Sequence, residues 1–171
     1  GSDIGKIRIW EVLPSGEEKI LHNGHWEESA EDSTETRGFF IEDDGGFQKP
    51  MEYWIGAMVF TPDAKMLITG SRDNTIRFFE MPTMNELRVV RGHNGWVRSL
   101  VVSPDGKVLI SAGDDNTIRF WDIATGRNFR TDKTHGGAVR GIALSPDGLR
   151  LASASWDRTV KLWEGGVEPA E

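Results

Sequence analysis

Apolar residues in this chain fall in short runs separated by turn-forming residues, and no stretch carries the three-and-four spacing of an amphipathic helix. Residues 97–123 show the pattern in full. Val97 to Val102 is apolar-rich and gives way to Pro104-Asp105-Gly106. Val108 to Ser111 is apolar again, Asp114-Asp115-Asn116 interrupts it, and Thr117 to Ile123 resumes the alternation. The pattern predicts strand, turn, strand, turn, strand. Proline presets φ in such turns while Gly or Asn tolerates positive φ, so neighbouring runs can pair as antiparallel hairpins.

The pattern repeats. Thr61-Pro62-Asp63, Ser103-Pro104-Asp105 and Ser145-Pro146-Asp147 share one frame, and Ile76-Arg77-Phe78-Phe79, Ile118-Arg119-Phe120-Trp121 and Val160-Lys161-Leu162-Trp163 recur at the same constant interval. A fourth copy, Ile7-Arg8-Ile9-Trp10, precedes the Ile76 copy by more than one and a half such intervals, so the stretch between them holds an insertion. His93 and His135 stand equally far ahead of Ser103 and Ser145, whereas His25 is several times further from Thr61. That difference places the insertion after Gly24-His25 and ahead of the following strand.

Gly92-His93, Ser103-Pro104-Asp105-Gly106, Asp115 and Trp121-Asp122, with their counterparts at matching spacing, resemble the signature of the WD-repeat (WD40) family. The resemblance implies an all-β fold: a WD40-type β-propeller fragment of four-stranded antiparallel blades, two complete and two partial. Residues 1–25 would supply strands c and d of a first blade and residues 26–53 an acidic insertion in its d–a loop. Complete blades follow at 54–91 and 92–134, then a last blade lacking strand d at 135–165 and a tail at 166–171. Closed propellers have at least about four blades. The expected neighbours are therefore the remaining blades of a larger propeller or further copies of the same chain.

Family resemblance also implies a buried hydrogen-bonded chain in each blade, mapping here to His93, Ser111, Asp115 and Trp121, and to His135, Ser153, Asp157 and Trp163. An imidazole, a hydroxyl, a carboxylate and an indole N–H can satisfy one another inside a sheet. The preceding blade offers His25, Thr69, Asp73 and Phe79, and because Phe79 has no N–H its network should be shorter. Ser, His and Asp in mutual reach also fit a catalytic triad, but a triad needs one exposed nucleophile beside an oxyanion hole, and repetition favours scaffolding. His22 stands apart from these networks, with no motif to make it a metal ligand. The reading is non-enzymatic, with no catalytic residue, cofactor or metal, and a propeller-framed hydrolase ranks last.

The tryptophans divide by position. Trp10, Trp121 and Trp163 fall on strand c and suit the core, while Trp54 and Trp96 align with each other where strand a begins and Trp156 immediately precedes the turn residue Asp157. Arg72 and Asp114 occupy that pre-turn place in the other blades. In WD-repeat proteins these positions look outward from the narrower face, so Trp54, Arg72, Trp96, Asp114 and Trp156 are the expected partner-binding set. Aromatic and Arg side chains are the types that act as hot spots.

Composition narrows the remaining choices. The 171 residues include no cysteine, which excludes disulfides, thiolate metal sites and a cysteine nucleophile. Neither an apolar run of spanning length nor a signal-peptide pattern occurs, so no membrane partner is expected and the setting is read as soluble and intracellular, cytoplasmic or nuclear. Net charge is −7, and residues 26–52, with nine acids and two bases, carry all of it. Nucleic-acid binding, which depends on a basic stripe, is not expected. A protein or peptide partner is, and the acidic insertion suggests one with a basic patch. Gly38-Phe39-Phe40-Ile41 breaks the polarity of an otherwise solvated loop.

Overall fold

A computed structural model describes residues 54–165, together with the backbone of four short strands nearer the N-terminus. These pair antiparallel as β1 (Lys19–His22) with β2 (His25–Glu28) and β3 (Phe40–Glu42) with β4 (Gln48–Pro50). The expected first partial blade, the solvation of the acidic insertion, the His25 side chain and the tail otherwise lie outside the described residues.

Residues 54–165 form three antiparallel sheets and, among the described residues, no helix. The first runs in order β5 (Ile55–Phe60), β6 (Met66–Ser71), β7 (Thr75–Glu80), β8 (Glu86–Arg91). The second repeats that order with β9 (Val97–Val102), β10 (Val108–Gly113), β11 (Ile118–Asp122) and β12 (Asn128–Asp132). The third has β13 (Val139–Leu144), β14 (Arg150–Ser155) and β15 (Val160–Glu164). Each is an up-and-down meander, which the short Pro-Asp and Asp-Asn turns impose because they leave no length for a crossover.

The sheets stack face to face, and the middle sheet is buried on both sides at its inner strand: every residue of β10 is buried. Ile68, Ile76 and Phe78 of the first sheet share one cluster with Val97, Leu100, Leu109 and Trp121 of the second. Ile110, Ile118 and Phe120 on the second sheet share another with Val139 and Leu151 of the third. Polar ties follow the same order, with the Arg88 guanidinium donating to the Ile123 and Ala124 carbonyls at 3.1 and 2.8 Å and the Ile142 N–H donating to Ser99 Oγ at 3.1 Å. On the third sheet the outer equivalents of Ile118 and Phe120, which are Val160 and Leu162, are 76% and 65% exposed.

Turn chemistry accounts for the hairpins. Ser103 Oγ donates to Asp105 Oδ1 at 2.5 Å and accepts the Val108 N–H at 2.9 Å, while the Lys107 N–H reaches Asp105 Oδ1 at 3.1 Å, and Thr61-Asp63 and Ser145-Asp147 build the same loop. The next residue must take a left-handed φ. Gly106 and Gly148 do so at 74° and 72°, but the first sheet places Ala64 there at 56°. In the following turn the left-handed positions hold Asn74, Asn116 and Arg158, of which only asparagine bonds its own backbone readily in that conformation. Ala64→Gly and Arg158→Asn are each expected to stabilise the fold by about 0.5–1 kcal/mol: the left-handed region costs a Cβ-bearing residue about 1–2 kcal/mol, which Gly escapes at some entropic cost and Asn partly offsets by bonding its own backbone. Urea unfolding should show a higher midpoint at unchanged slope; a lower midpoint in both variants would contradict this account of the turns.

Candidate functional site

His93 lies just ahead of β9, Ser111 on β10, Asp115 in the β10–β11 turn and Trp121 on β11, so four consecutive pieces of one sheet meet at a point. The Trp121 Nε1–H donates to Ser111 Oγ at 2.8 Å, and Ser111 Oγ lies 2.7 Å from His93 Nε2. On the other side of the ring, His93 Nδ1 is 2.9 Å from Asp115 Oδ2. One tautomer satisfies every atom: Nδ1–H donates to the carboxylate, the Ser111 hydroxyl donates to Nε2, and the indole donates to the hydroxyl. The third sheet repeats the chain, with His135 Nδ1 at 2.8 Å from Asp157 Oδ2, His135 Nε2 at 2.7 Å from Ser153 Oγ, and the Trp163 N–H reaching Ser153 Oγ at 3.1 Å. Ser111 and Ser153 are buried.

In the first sheet Phe79 has no N–H to give Thr69, and Asp73 accepts from the Thr75 amide and hydroxyl at 3.0 and 2.6 Å, as in the other sheets, and also from Arg77 Nη2 at 2.9 Å. Arg77 bridges onward to Glu86 at 3.0 Å.

Burial alone would push the Asp115 carboxyl up, but the His93 ring, the Asn94 N–H and the Thr117 hydroxyl hold it well below the usual carboxylate range. Asp157 is likewise held low, first by the Thr159 hydroxyl and then, against desolvation, by His135 and the Thr159 and Gly136 amides. A carboxylate held in this way is an acceptor fixed in place. Ser111 and Ser153 already receive an indole N–H and are shut off from solvent, so neither is set up as a nucleophile.

Of the set expected at the narrow face, Arg72, Asp114 and Trp156 lie one residue before a turn aspartate, while Trp54 and Trp96 lead into β5 and β9. The amides of Arg72, Asp114 and Trp156 donate to the carbonyls of Trp54, Trp96 and Ala138 at 2.8, 2.9 and 2.9 Å, so each pre-turn residue is clamped beside the start of its own sheet's first strand. Across sheets the side chains join. The Arg72 guanidinium sits 5.6 Å from the ring centres of both Trp54 and Trp96, which meet edge to face at 6.5 Å. Asp114 accepts from Arg98 Nε and Nη2 at 2.9 and 2.6 Å and from Arg140 Nη1 at 3.1 Å, and the fork from Arg98 holds its carboxyl below the ordinary range. Arg98 stacks 3.4 Å from the Trp96 ring centre and Arg140 lies 4.3 Å from that of Trp156. The result is a continuous row of Trp54, Arg72, Trp96, Arg98, Asp114, Arg140 and Trp156 across three sheets.

Arg98 and Arg140 were not among the residues expected from sequence. They occupy one repeat position whose first-sheet member is Gly56, and that series was the available signal. Gly56 is itself required: a Cβ there would collide with the Trp96 indole nitrogen and the Val97 carbonyl. Close packing at Gly56 leaves Trp96 Nε1 buried without an acceptor. Trp54 and Trp156 remain 39% and 68% exposed. Among the described residues, no group of three or more metal-ligating side chains occurs, and no helix is long and apolar enough to cross a membrane.

Stacked antiparallel meanders at a constant period, two of them carrying His, Ser, Asp and Trp chains, define a repeat protein of the β-propeller type. The family described as WD domain, G-beta repeat matches residues 49–80, 84–122 and 126–164, and the chain belongs to it. No curated protein sequence matches the chain. Among solved structures it is similar to one described as "Structure of U3-55K" and one described as "Crystal structure of RRP9 WD40 repeats", each at 28% identity and a TM-score of 0.64 over 68% of this chain. In both cases the chain spans 37% of the matched protein.

Asp115→Ala removes the acceptor from a buried ring N–H and two backbone amides, and it is expected to cost about 1–3 kcal/mol. Because the Asp115 carboxyl is held below its unfolded value, its contribution is complete above about pH 4 and is lost as pH falls further. Denaturant unfolding of the parent between pH 6 and pH 3 should therefore lose stability faster than that of Asp115→Asn. Parallel curves would rule out the carboxylate as the source.

Proposed function

We propose that the chain is a non-catalytic interaction scaffold that binds a protein or peptide partner on the narrow face, through Trp54, Arg72, Trp96, Asp114 and Trp156, in the cytoplasm or nucleus. The observation that carries this reading is the Trp–Arg–Asp row itself. Its members come from three sheets, they are held by backbone clamps, stacked rings and a shared carboxylate, and they end in a tryptophan 68% exposed. Such preorganised aromatic and guanidinium side chains lose little entropy on binding, which is what a hot spot needs. Membership of the WD-repeat family supports the scaffold class, and the buried, indole-capped serines favour it over hydrolysis.

A second reading concerns assembly and does not compete with the first. Val160 and Leu162 are exposed where their counterparts Ile118 and Phe120 are buried against a following sheet. That difference favours a further blade against the third sheet, from a larger propeller or from another copy of the chain.

Trp96→Ala and Trp156→Ala should each weaken capture of a binding partner by about 2 kcal/mol or more, the usual loss at a hot spot. Trp156→Ala should leave the unfolding midpoint within error of the parent, because its ring is largely solvent-exposed. Affinity purification followed by binding kinetics reads both quantities. Unchanged affinity in both variants, with normal folding, would move the site to the rim or the wide face.

A further inference from the structure

We infer that the partner segment seated on the narrow face carries an aspartate or glutamate carboxylate, and that Arg72 receives it. This rests on the narrow-face reading above and adds the chemistry of the occupant.

The row contains three guanidiniums and one carboxylate. Asp114 is fully used, with Oδ1 accepting from Arg98 and Arg140 and Oδ2 from Arg98. The turn aspartates one residue further on are turned inward: Asp73 to Thr75 and Arg77, Asp115 to His93 and Thr117, Asp157 to His135 and Thr159. Arg98 and Arg140 therefore have an anion and Arg72, among the described residues, has no carboxylate partner. Arg98 and Arg140 share a single carboxylate, and Arg72 is the guanidinium of the row that no carboxylate among the described residues meets.

The surroundings of Arg72 specify how that charge can be met. Two indoles lie 5.6 Å from its guanidinium carbon and attract the cation through their ring faces, while Arg72 itself stays exposed to solvent and open to a ligand. Neither supplies an acceptor for the five in-plane N–H donors of the fork. A carboxylate approaching in that plane makes two parallel charge-assisted bonds, the geometry for which Arg is suited and Lys is not. One uncommitted guanidinium matches one carboxylate. A phosphate dianion would draw on two, and Arg98 and Arg140 are already held by Asp114. At the far end of the row Trp156, backed by Arg140, offers an apolar ring for a second anchor on the same segment. The inferred sign is opposite to the basic partner suggested by residues 26–52, because it is read from the face itself.

The test is selection of a phage-displayed library of short random peptides against the whole 171-residue chain, with enriched peptides then measured by fluorescence anisotropy. Asp or Glu should be enriched at one position. Arg72→Gln should weaken these peptides about tenfold, as expected for a hydrogen-bonded charge pair, and Arg72→Lys should restore only part of the loss. Arg72→Glu should prefer the same peptides with the acid replaced by Lys, a switch that a purely structural role would not produce. Enriched peptides that are basic or neutral, or that bind Arg72→Gln as well as the parent, overturn the carboxylate inference. If those same peptides still lose affinity to Trp96→Ala or Trp156→Ala, the narrow-face reading survives. An absence of enriched peptides, or binding indifferent to Arg72, Trp96 and Trp156 alike, overturns both.

Discussion

A carboxylate placed inside a sheet has to be satisfied completely, and in this fold the solution to that requirement also sets the geometry of the surface one residue away. Asp115 takes the His93 ring, the Asn94 amide and the Thr117 amide and hydroxyl. Together these fix the start of one strand, the turn between two others and, through Ser111 and Trp121, the sheet interior. Leaving such a group unpaired costs on the order of 1–3 kcal/mol, so the turn has little freedom to relax. Asp114 projects from that fixed turn, and Trp156 projects from its repeat in the third sheet.

Stacking supplies most of the stability and the polar row refines it. Burying side chains such as Ile68, Phe78, Leu109 and Phe120 is worth about 1.5–3 kcal/mol each, whereas exposed ion pairs contribute about 0–1 kcal/mol. The contacts of Arg72 with Trp96 and of Asp114 with Arg140 are therefore consequences of sheets already pressed together. Their value lies in holding long side chains in one arrangement, so that on the proposed function these side chains would have less entropy to lose on binding.

Much of this could be read before any coordinates. The strands, the meander order and the family follow from turn chemistry at a constant period, because Ser-Pro-Asp-Gly and Asp-Asn act within a few positions of themselves. The row was legible only in part. Trp54, Arg72, Trp96, Asp114 and Trp156 stand out by repeat position, but the role of Arg98 and Arg140 depends on the spacing between sheets, which no local pattern encodes. Arg77 is a similar case: it bonds Asp73 although the motif does not mark its position. Charge reads differently at the two levels: the formal charge is concentrated in residues 26–52, while the row holds three arginines that sequence balance hides among compensating acids.

On the proposed function, labour is divided among the tryptophans, with Trp121 serving the fold and the exposed Trp156 serving the partner. Hydrogen exchange at the indole nitrogens, followed by NMR on the free chain and then with a captured partner, tests this most directly. Trp121 should exchange only through large-scale opening, with or without the partner, while Trp156 should exchange near the solvent rate when free and slow on binding. Rapid exchange at Trp121, or a Trp156 signal indifferent to the partner, would contradict the account.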